Sequence, residues 1–502
     1  MTVLTAIAVT VTGPVAARAG NAAEPAALTW TPCAPSGPGP TPPPAAAAVE
    51  CASLAVPIDW SRPAGGGIEV AVARRKATGP GTRIGTLVIM PGGPGNSGVS
   101  NLMGPLQVTP EIAARFDLVS FDPRGTNRSH PIVCDAGLVA RIMTDATPDA
   151  GRTLADVTAF SRRLSGSCRK HSGPLIDHID SVSTARDIDA LRAALGERTI
   201  SLFGRSYGTL TGQIYAETFP TRIRALVLDS VMEHSRGIDW FLTSAARTGE
   251  DSFTEFARWC ARDVACALHG RDVARIFDDL YARAIAGRLH RPGDPAALIS
   301  PMELNMALVD PLYGPRWTEA ADLLQALSDQ TALAPAESTG PGATEEFPYA
   351  LFCADYRVDI SSEREWTALY RRQNRAAPHL RTHFSWQLMS LCAGWTAAVG
   401  NPQHRPRIRT TPSILLLNSL HDPATAYEWA TTVDRDLRGG VLLTYDGWGH
   451  GMLNRSDCTR TAVLHYLVDL ATPRRGTHCP AVPPDDAAEA RVAVEPGPSA
   501  FG

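Results

Sequence analysis

The sequence predicts an α/β protein: a mostly parallel sheet with helices on both faces and a helical insertion late in the chain. Three observations carry this. Short β-branched runs alternate with helical patterns along most of the chain. Strand candidates such as residues 413–417 (SILLL) and 441–445 (VLLTY) are short, mostly apolar patterns, as expected of strands buried on both faces. Residues 233–400 break the rhythm and carry mainly helical periodicity. At 502 residues, 44% of them apolar, the chain can fill one large core plus a substantial insertion.

From the N-terminus, residues 1–19 are uncharged until Arg18, rich in Ala, Val and Thr, and end in Ala17-Arg18-Ala19, a small-x-small cleavage pattern. Residues 1–23 are therefore expected to be an export signal, with a disordered Ala-rich terminus as the alternative. A Pro/Gly/Ala stretch, 34–48, reads as a loop between Cys33 and Cys51. Strands are expected at 68–77, 85–90 and 116–121. A helix follows from Ser183 or Thr184 as N-cap, through Ile188, Leu191 and Leu195, to Gly196. Then come a strand at 199–203, a tight turn at 204–208, a helix at 207–219 stopped by Pro220, and a strand at 225–228. The insertion, 233–400, includes a Pro/Gly/Ser loop at 335–344. Strands at 413–417 and 441–445 and a helix at 461–470 close the fold, and 481–502 reads as a disordered tail. The expected organisation is a core of 24–232 and 401–480 split by the insertion.

A net charge of −4 leaves no broad basic surface, which sets aside nucleic acid and anionic membranes as partners. No apolar run after the N-terminus reaches the roughly 20 residues needed to span a bilayer. Ten cysteines, none in a C-x-x-C spacing, fall into sequence-neighbouring pairs: Cys33 with Cys51, Cys134 with Cys168, Cys260 with Cys266, Cys353 with Cys392, Cys458 with Cys479. This favours disulfides and an oxidising, extracellular location over an all-thiol cytosolic protein. No metal site or cofactor is expected, and a monomer is favoured.

Chemistry concentrates in four places. Gly204-Arg205-Ser206-Tyr207-Gly208 is a G-x-S-x-G between a strand and a helix, the signature of a nucleophile elbow. The glycines let the chain reverse sharply and lift the Ser206 hydroxyl clear of the backbone. Pro91-Gly92-Gly93-Pro94-Gly95-Asn96-Ser97-Gly98 follows a strand and lets backbone amides approach a substrate. It lacks the lysine of a phosphate-binding loop and the spacing of a dinucleotide fingerprint. An oxyanion hole is expected from the Tyr207 N–H and one from Gly92 or Gly93, with Gly93 favoured. Two strand-end acids, Asp229 and Asp422, compete for the third triad position; Asp422 keeps the chain order serine, acid, histidine. Among thirteen histidines, His450 in Gly449-His450-Gly451 is the candidate base, with His421 its nearest competitor. Strand–elbow–helix context, glycine loop and triad order together specify the α/β-hydrolase fold, with an eight-stranded, mostly parallel sheet and an inserted helical cap.

These residues resemble a family, the secreted tripeptidyl aminopeptidase-like α/β-hydrolases of actinobacteria, related to proline iminopeptidases. The resemblance spans most of the chain and rests on CASLAVPIDW (51–60), PGGPGNSG (91–98), DPRGTNRS (122–129), GRSYGT (204–209), DPAT (422–425) and GHG (449–451). Three positions depart from the family pattern: Asn127 replaces a usual glycine, Ala426 a usual proline, and Arg205 fills the variable elbow position. The resemblance implies release of short peptides, often tripeptides, from free N-termini through an acyl-enzyme on Ser206; some relatives act as esterases. Such an activity needs a carboxylate for the substrate ammonium, and Glu233, Glu345, Glu346 and Asp355 are the candidates. The alternatives are a carboxylesterase or thioesterase on the same triad, and a non-catalytic binding protein on this scaffold, against which the intact triad argues.

Overall fold

The computed structural model describes residues 27–33, 49–142, 146–291, 294–329, 344–408 and 412–485. The expected export segment, the loop 34–48, all but the last residue of the loop 335–344, and residues 486–502 of the expected tail lie outside the described residues.

One ten-stranded sheet organises the molecule. Its strands are β1 (Thr31–Pro32), β2 (Val49–Pro57), β3 (Gly67–Arg75), β4 (Gly85–Met90), β5 (Phe116–Phe121), β6 (Ile200–Arg205), β7 (Ile223–Asp229), β8 (Ile414–His421), β9 (Gly440–Trp448) and β10 (His478–Cys479). They lie in the order β1-β2-β3-β5-β4-β6-β7-β8-β9-β10. Pairing is antiparallel from β1 through β3 to β5 and parallel across every remaining neighbour. The sheet exceeds the expected eight strands because β1 and β10, two residues each, are too short to leave an alternating pattern. Each ends at a disulfide, Cys33–Cys51 or Cys458–Cys479, that fastens a very short edge.

Side chains of β4 show how the sheet is buried on both faces. Val88 and Met90 join one apolar cluster with Leu164, Ile188, Leu210 and Ile214 from helices Leu154–Ser172, Ser181–Ala194 and Tyr207–Thr218. Leu87 and Ile89 join the opposite cluster with Ile112, Val463 and Leu467 from Pro110–Arg115 and Asp457–Asp469. Period-two alternation thus feeds two cores, as a helix-covered parallel sheet requires.

The helix expected from Ser183 starts earlier, because Asp180 is its N-cap and its carboxylate accepts the Ser183 N–H at 2.9 Å. Residues 481–485, expected to belong to the tail, pack on the body instead. The Tyr445 hydroxyl accepts the Val482 N–H at 2.9 Å, and the Asp485 carboxylate accepts the Thr318 hydroxyl at 3.0 Å. These bonds to residues 37 and 167 positions away are tertiary contacts that composition does not reveal.

Between β7 and β8 the described chain is mostly helical: Ile238–Arg262, Val273–Ile285, Pro301–Tyr313, Trp317–Asp329, Ala350–Asp355, Glu363–Ala376 and Phe384–Cys392. Part of it builds a separate core around Phe253, Phe277, Leu308, Trp317 and Leu324. The rest, including Phe352, Tyr356 and Trp386, shares the main cluster with the sheet's helices. A short strand, Thr344–Glu346, pairs with Val133–Asp135 and ties the insertion to the first half of the chain. All ten cysteines are joined in the five sequence-neighbouring pairs. Among the described residues no helix is long and apolar enough to cross a membrane.

Candidate active site

Four loops meet at one edge of the sheet for a topological reason. β4, β6, β8 and β9 are parallel, so their C-terminal ends lie on the same side, where open α/β sheets bind ligands. Pro91 follows β4, Ser206 follows β6, Asp422 follows β8, and His450 lies two residues past β9.

Ser206 is the turn between β6 and helix Tyr207–Thr218, with φ 54° and ψ −123°, a left-handed conformation that costs a residue with a Cβ roughly 1–3 kcal/mol. The surroundings enforce it. A Cβ at Gly208 would lie 2.3 Å from the Met90 carbonyl oxygen, and one at Gly204 would lie 2.6 Å from that of Gly208, so only glycine allows the elbow to press against the end of β4. The Ser206 N–H donates to the Asp229 carbonyl at 2.9 Å, tying the elbow to β7. Tyr207 opens the helix, so its N–H has no intrahelical acceptor.

His450 is set by three groups. Its Nδ1 lies 3.0 Å from both carboxylate oxygens of the fully buried Asp422. Its N–H donates to the Tyr313 carbonyl at 2.9 Å, and its ring packs on Tyr313 at 4.8 Å. Its Nε2 is buried without a hydrogen-bond partner among the described residues, and it makes no hydrogen bond to Ser206. Glycines at positive φ on either side, Gly449 at 90° and Gly451 at 78°, allow the loop to present the ring.

Asp422 is held as tightly. Its carboxylate accepts the Ala424 N–H at 2.8 Å, the Thr425 N–H at 2.9 Å and the Thr425 hydroxyl at 2.8 Å. Burial alone would raise its pKa, but the His450 charge and these hydrogen bonds outweigh it and hold the carboxyl below its usual value. Asp422 therefore stays ionised beside the imidazole, able to stabilise a proton arriving at His450.

Asp229, the competing acid, has another task. Its carboxylate accepts the N–H groups of Met452 at 2.6 Å and Leu453 at 3.0 Å, so it braces the loop just after His450. The neighbouring Ser230 hydroxyl accepts the Gly451 N–H at 2.8 Å. His421, the competing base, has its Nδ1 2.7 Å from Asp251 and stacks on Trp448.

The glycine loop is braced by DPRGTNRS. Buried Asp122 accepts the Ser97 hydroxyl at 2.6 Å and the N–H groups of Val99 and Arg128 at 3.1 Å. Asn127, at φ 46°, donates its side-chain amide to the Gly95 carbonyl at 2.8 Å, a bond that the family's usual glycine could not make. Gly93 has φ 108°.

Of the proposed amine anchors, Glu233 and Asp355 are buried and already engaged. Glu233 accepts from the Ser235 N–H and hydroxyl and from the Arg236 N–H, and burial raises its pKa despite them. Asp355 accepts the hydroxyls of Tyr207 and Ser181, the Ser181 N–H and an amide N–H of Asn401, which leaves no open side for an ammonium. Their sequence positions gave no hint of this, because burial depends on partners far along the chain. Glu345 is exposed on the short strand, and Glu346 is exposed beside the glycine loop with the Asn127 N–H on its carboxylate.

Two supporting residues escaped the sequence reading. Thr425 could have been found from its place three residues after an acidic loop residue, a spacing at which Asp and Thr side chains bond locally. Arg455 carried no signal: its buried guanidinium donates to the carbonyls of Gly451, Gly314, Tyr313 and His450. Burial pulls its pKa down to about 10.

A serine elbow, a buried Asp–His pair and a glycine loop on the C-terminal edge of a parallel sheet define an α/β-hydrolase. Residues 377–479 match the family described as TAP-like protein. Over almost its whole length the chain is similar to "Serine protease Hip1" of Mycobacterium tuberculosis, with 32% identity covering 95% of this chain and 96% of that one. It is 30% identical to "Tripeptidyl aminopeptidase" of Streptomyces coelicolor, covering 92% and 88%, and 31% identical to "Carboxylesterase B" of Mycobacterium tuberculosis, covering 86% of each. The chain belongs to the TAP-like α/β-hydrolase family.

Proposed function

We propose that the protein is a secreted serine peptidase of aminopeptidase type that releases short peptides, tripeptides foremost, from free N-termini. The observation that carries the reading is the buried His450–Asp422 pair, whose unpartnered Nε2 shares a sheet edge with a strained serine. In this reading His450 Nε2 takes the Ser206 proton as Oγ attacks the scissile carbonyl. The N–H groups of Tyr207 and Gly93 receive the developing oxyanion, and Asp422 stabilises the imidazolium. The imidazolium then protonates the departing amine, and water repeats the sequence on the acyl-enzyme.

Helices 238–392 are proposed as a cap over this edge. Within the insertion, Glu346 is the better anchor for the substrate ammonium, because it is exposed and pairs with no cation among the described residues. It also flanks the glycine loop, where Pro348 fills the space a Cβ on Gly95 would need. Five disulfides favour an oxidising compartment, which supports secretion. A carboxylesterase is the second reading, favoured by the relative of that name.

Purified enzyme assayed on tripeptide anilides with free and acetylated N-termini, and on a short acyl ester, decides between them. Free amines should be cleaved and acetylated ones resisted, with Ser206→Ala losing nearly all turnover. Glu346→Gln should raise KM for the free peptide while kcat holds. Equal rates on free and acetylated peptides would overturn the aminopeptidase reading, and faster ester cleavage would favour the second.

A further inference from the structure

Directly after the nucleophile, the Tyr207 side chain reaches a buried polar cluster that the mechanism above does not use. Its hydroxyl donates to Asp355 Oδ2 at 2.6 Å. Asp355 ends helix Ala350–Asp355 in the insertion, 148 residues further along the chain, and is 1% exposed. Three more donors fix the carboxylate: the Ser181 N–H at 2.8 Å, the Ser181 hydroxyl at 2.7 Å and the Asn401 side-chain amide at 3.0 Å. The helix bearing Asp355 is itself fastened by the Cys353–Cys392 disulfide and by His234, whose Nε2 lies 2.7 Å from the Asp355 carbonyl.

A buried carboxylate is costly to maintain, and an apolar residue would fill this space without that penalty. What the carboxylate adds is direction: the nearer of two acceptors, 2.6 Å against 3.4 Å for the Leu351 carbonyl, and supported from two other segments, it sets where the Tyr207 ring ends. Ring and amide belong to the same residue at the first turn of the elbow helix, so fixing the far end of the side chain restricts rotation of the peptide plane that carries the N–H.

We propose that Asp355 is a positioning residue for the oxyanion hole, acting through the Tyr207 hydroxyl to hold the Tyr207 amide where negative charge develops. The inference rests on the reading of Ser206 as nucleophile and Tyr207 N–H as oxyanion donor. It adds that the insertion does more than cover the site: it supplies the anchor that aligns half of the hole. Alignment of a donor aimed at the transition state changes kcat and leaves substrate binding almost untouched.

The test uses the full-length protein and the variants Tyr207→Phe, Asp355→Asn and the double variant. Active serine is counted with a fluorophosphonate, and kcat and KM are expressed per titrated site. Tyr207→Phe keeps the ring and removes only the hydroxyl, so it remains informative if Asp355→Asn folds poorly. The expected result is a kcat lower by about tenfold, less than the 10²–10³ of a lost donor. KM should stay within about twofold, and the double variant should be no worse than the more impaired single one. Wild-type kcat per titrated site in Tyr207→Phe, or losses that multiply in the double variant, would overturn the proposal. If the reagent failed to label Ser206 in the wild-type protein, the nucleophile assignment would fall, and the inference with it.

Discussion

Asp355 and Asp422 are both fully buried carboxylates, yet their environments push them in opposite directions. Around Asp355, burial dominates, and the charge of Asp180 adds to it; together they exceed the effect of the Tyr207 and Ser181 hydrogen bonds and raise its pKa to about 6. A carboxyl that binds its proton more tightly in the folded state contributes most stability below its unfolded pKa and loses it as pH rises toward about 6. The shift from 3.8 corresponds to a cost of about 3 kcal/mol at neutral pH. The melting temperature of wild type relative to Asp355→Asn should therefore fall between about pH 4 and pH 7. A flat difference in calorimetry across that range would contradict the shift. For Asp422 the sign reverses: its lowered pKa gives stability at neutral pH that is lost as pH drops through and below the usual carboxylate range. Thr425 is the second residue to test. Its hydroxyl lies 2.8 Å from Asp422 Oδ2 and 3.5 Å from His450 Nδ1, so Thr425→Ala should lower kcat about tenfold by loosening the acid, while Thr425→Ser keeps most turnover. Equal kcat in both variants would remove Thr425 from the supporting network.

At the scale of elements, two devices matter, the first for assembly of the site and the second for the stability of the sheet edge. One is the contact of the elbow with the end of β4. Gly208→Ala puts a methyl 2.3 Å from a backbone oxygen that cannot swing aside, and should yield a protein that folds poorly or is inactive, measurable as lost soluble yield and lost fluorophosphonate labelling. The other is the edge strand β10, joined to helix Asp457–Asp469 by a disulfide that closes a chain separation of 21 residues. Replacing Cys458 and Cys479 by serine should cost about 3 kcal/mol by loop-closure entropy, seen as a lower urea midpoint, with little change in kcat because β10 lies outside the catalytic loops. Strands β4, β5 and β6 stood out in the sequence because each is a short run rich in β-branched, leucine and aromatic residues between turn signals. The terminal strands did not: pairing partners, not composition, make two residues a strand.

For the molecule as a whole, local chemistry in the sequence marked the elbow and the glycine loop and favoured the pairing of neighbouring cysteines, while it left Asp229 and Asp422 to compete as the acid. The elbow and the glycine loop are short motifs whose backbone demands are local, which is why they are legible in sequence. Tertiary structure decided what depends on distant partners. It made Asp229 a brace for the histidine loop, engaged Glu233 and Asp355 internally, left Glu346 open, and sent Arg455 to four carbonyls. It also linked helices Pro301–Tyr313 and Ala350–Asp355 to the C-terminal edge of the sheet through the Tyr313 carbonyl and the Asp355 carboxylate. The physical reason is that burial and hydrogen-bond saturation set a carboxylate's role, and both are properties of what surrounds it in space, which residue identity does not encode.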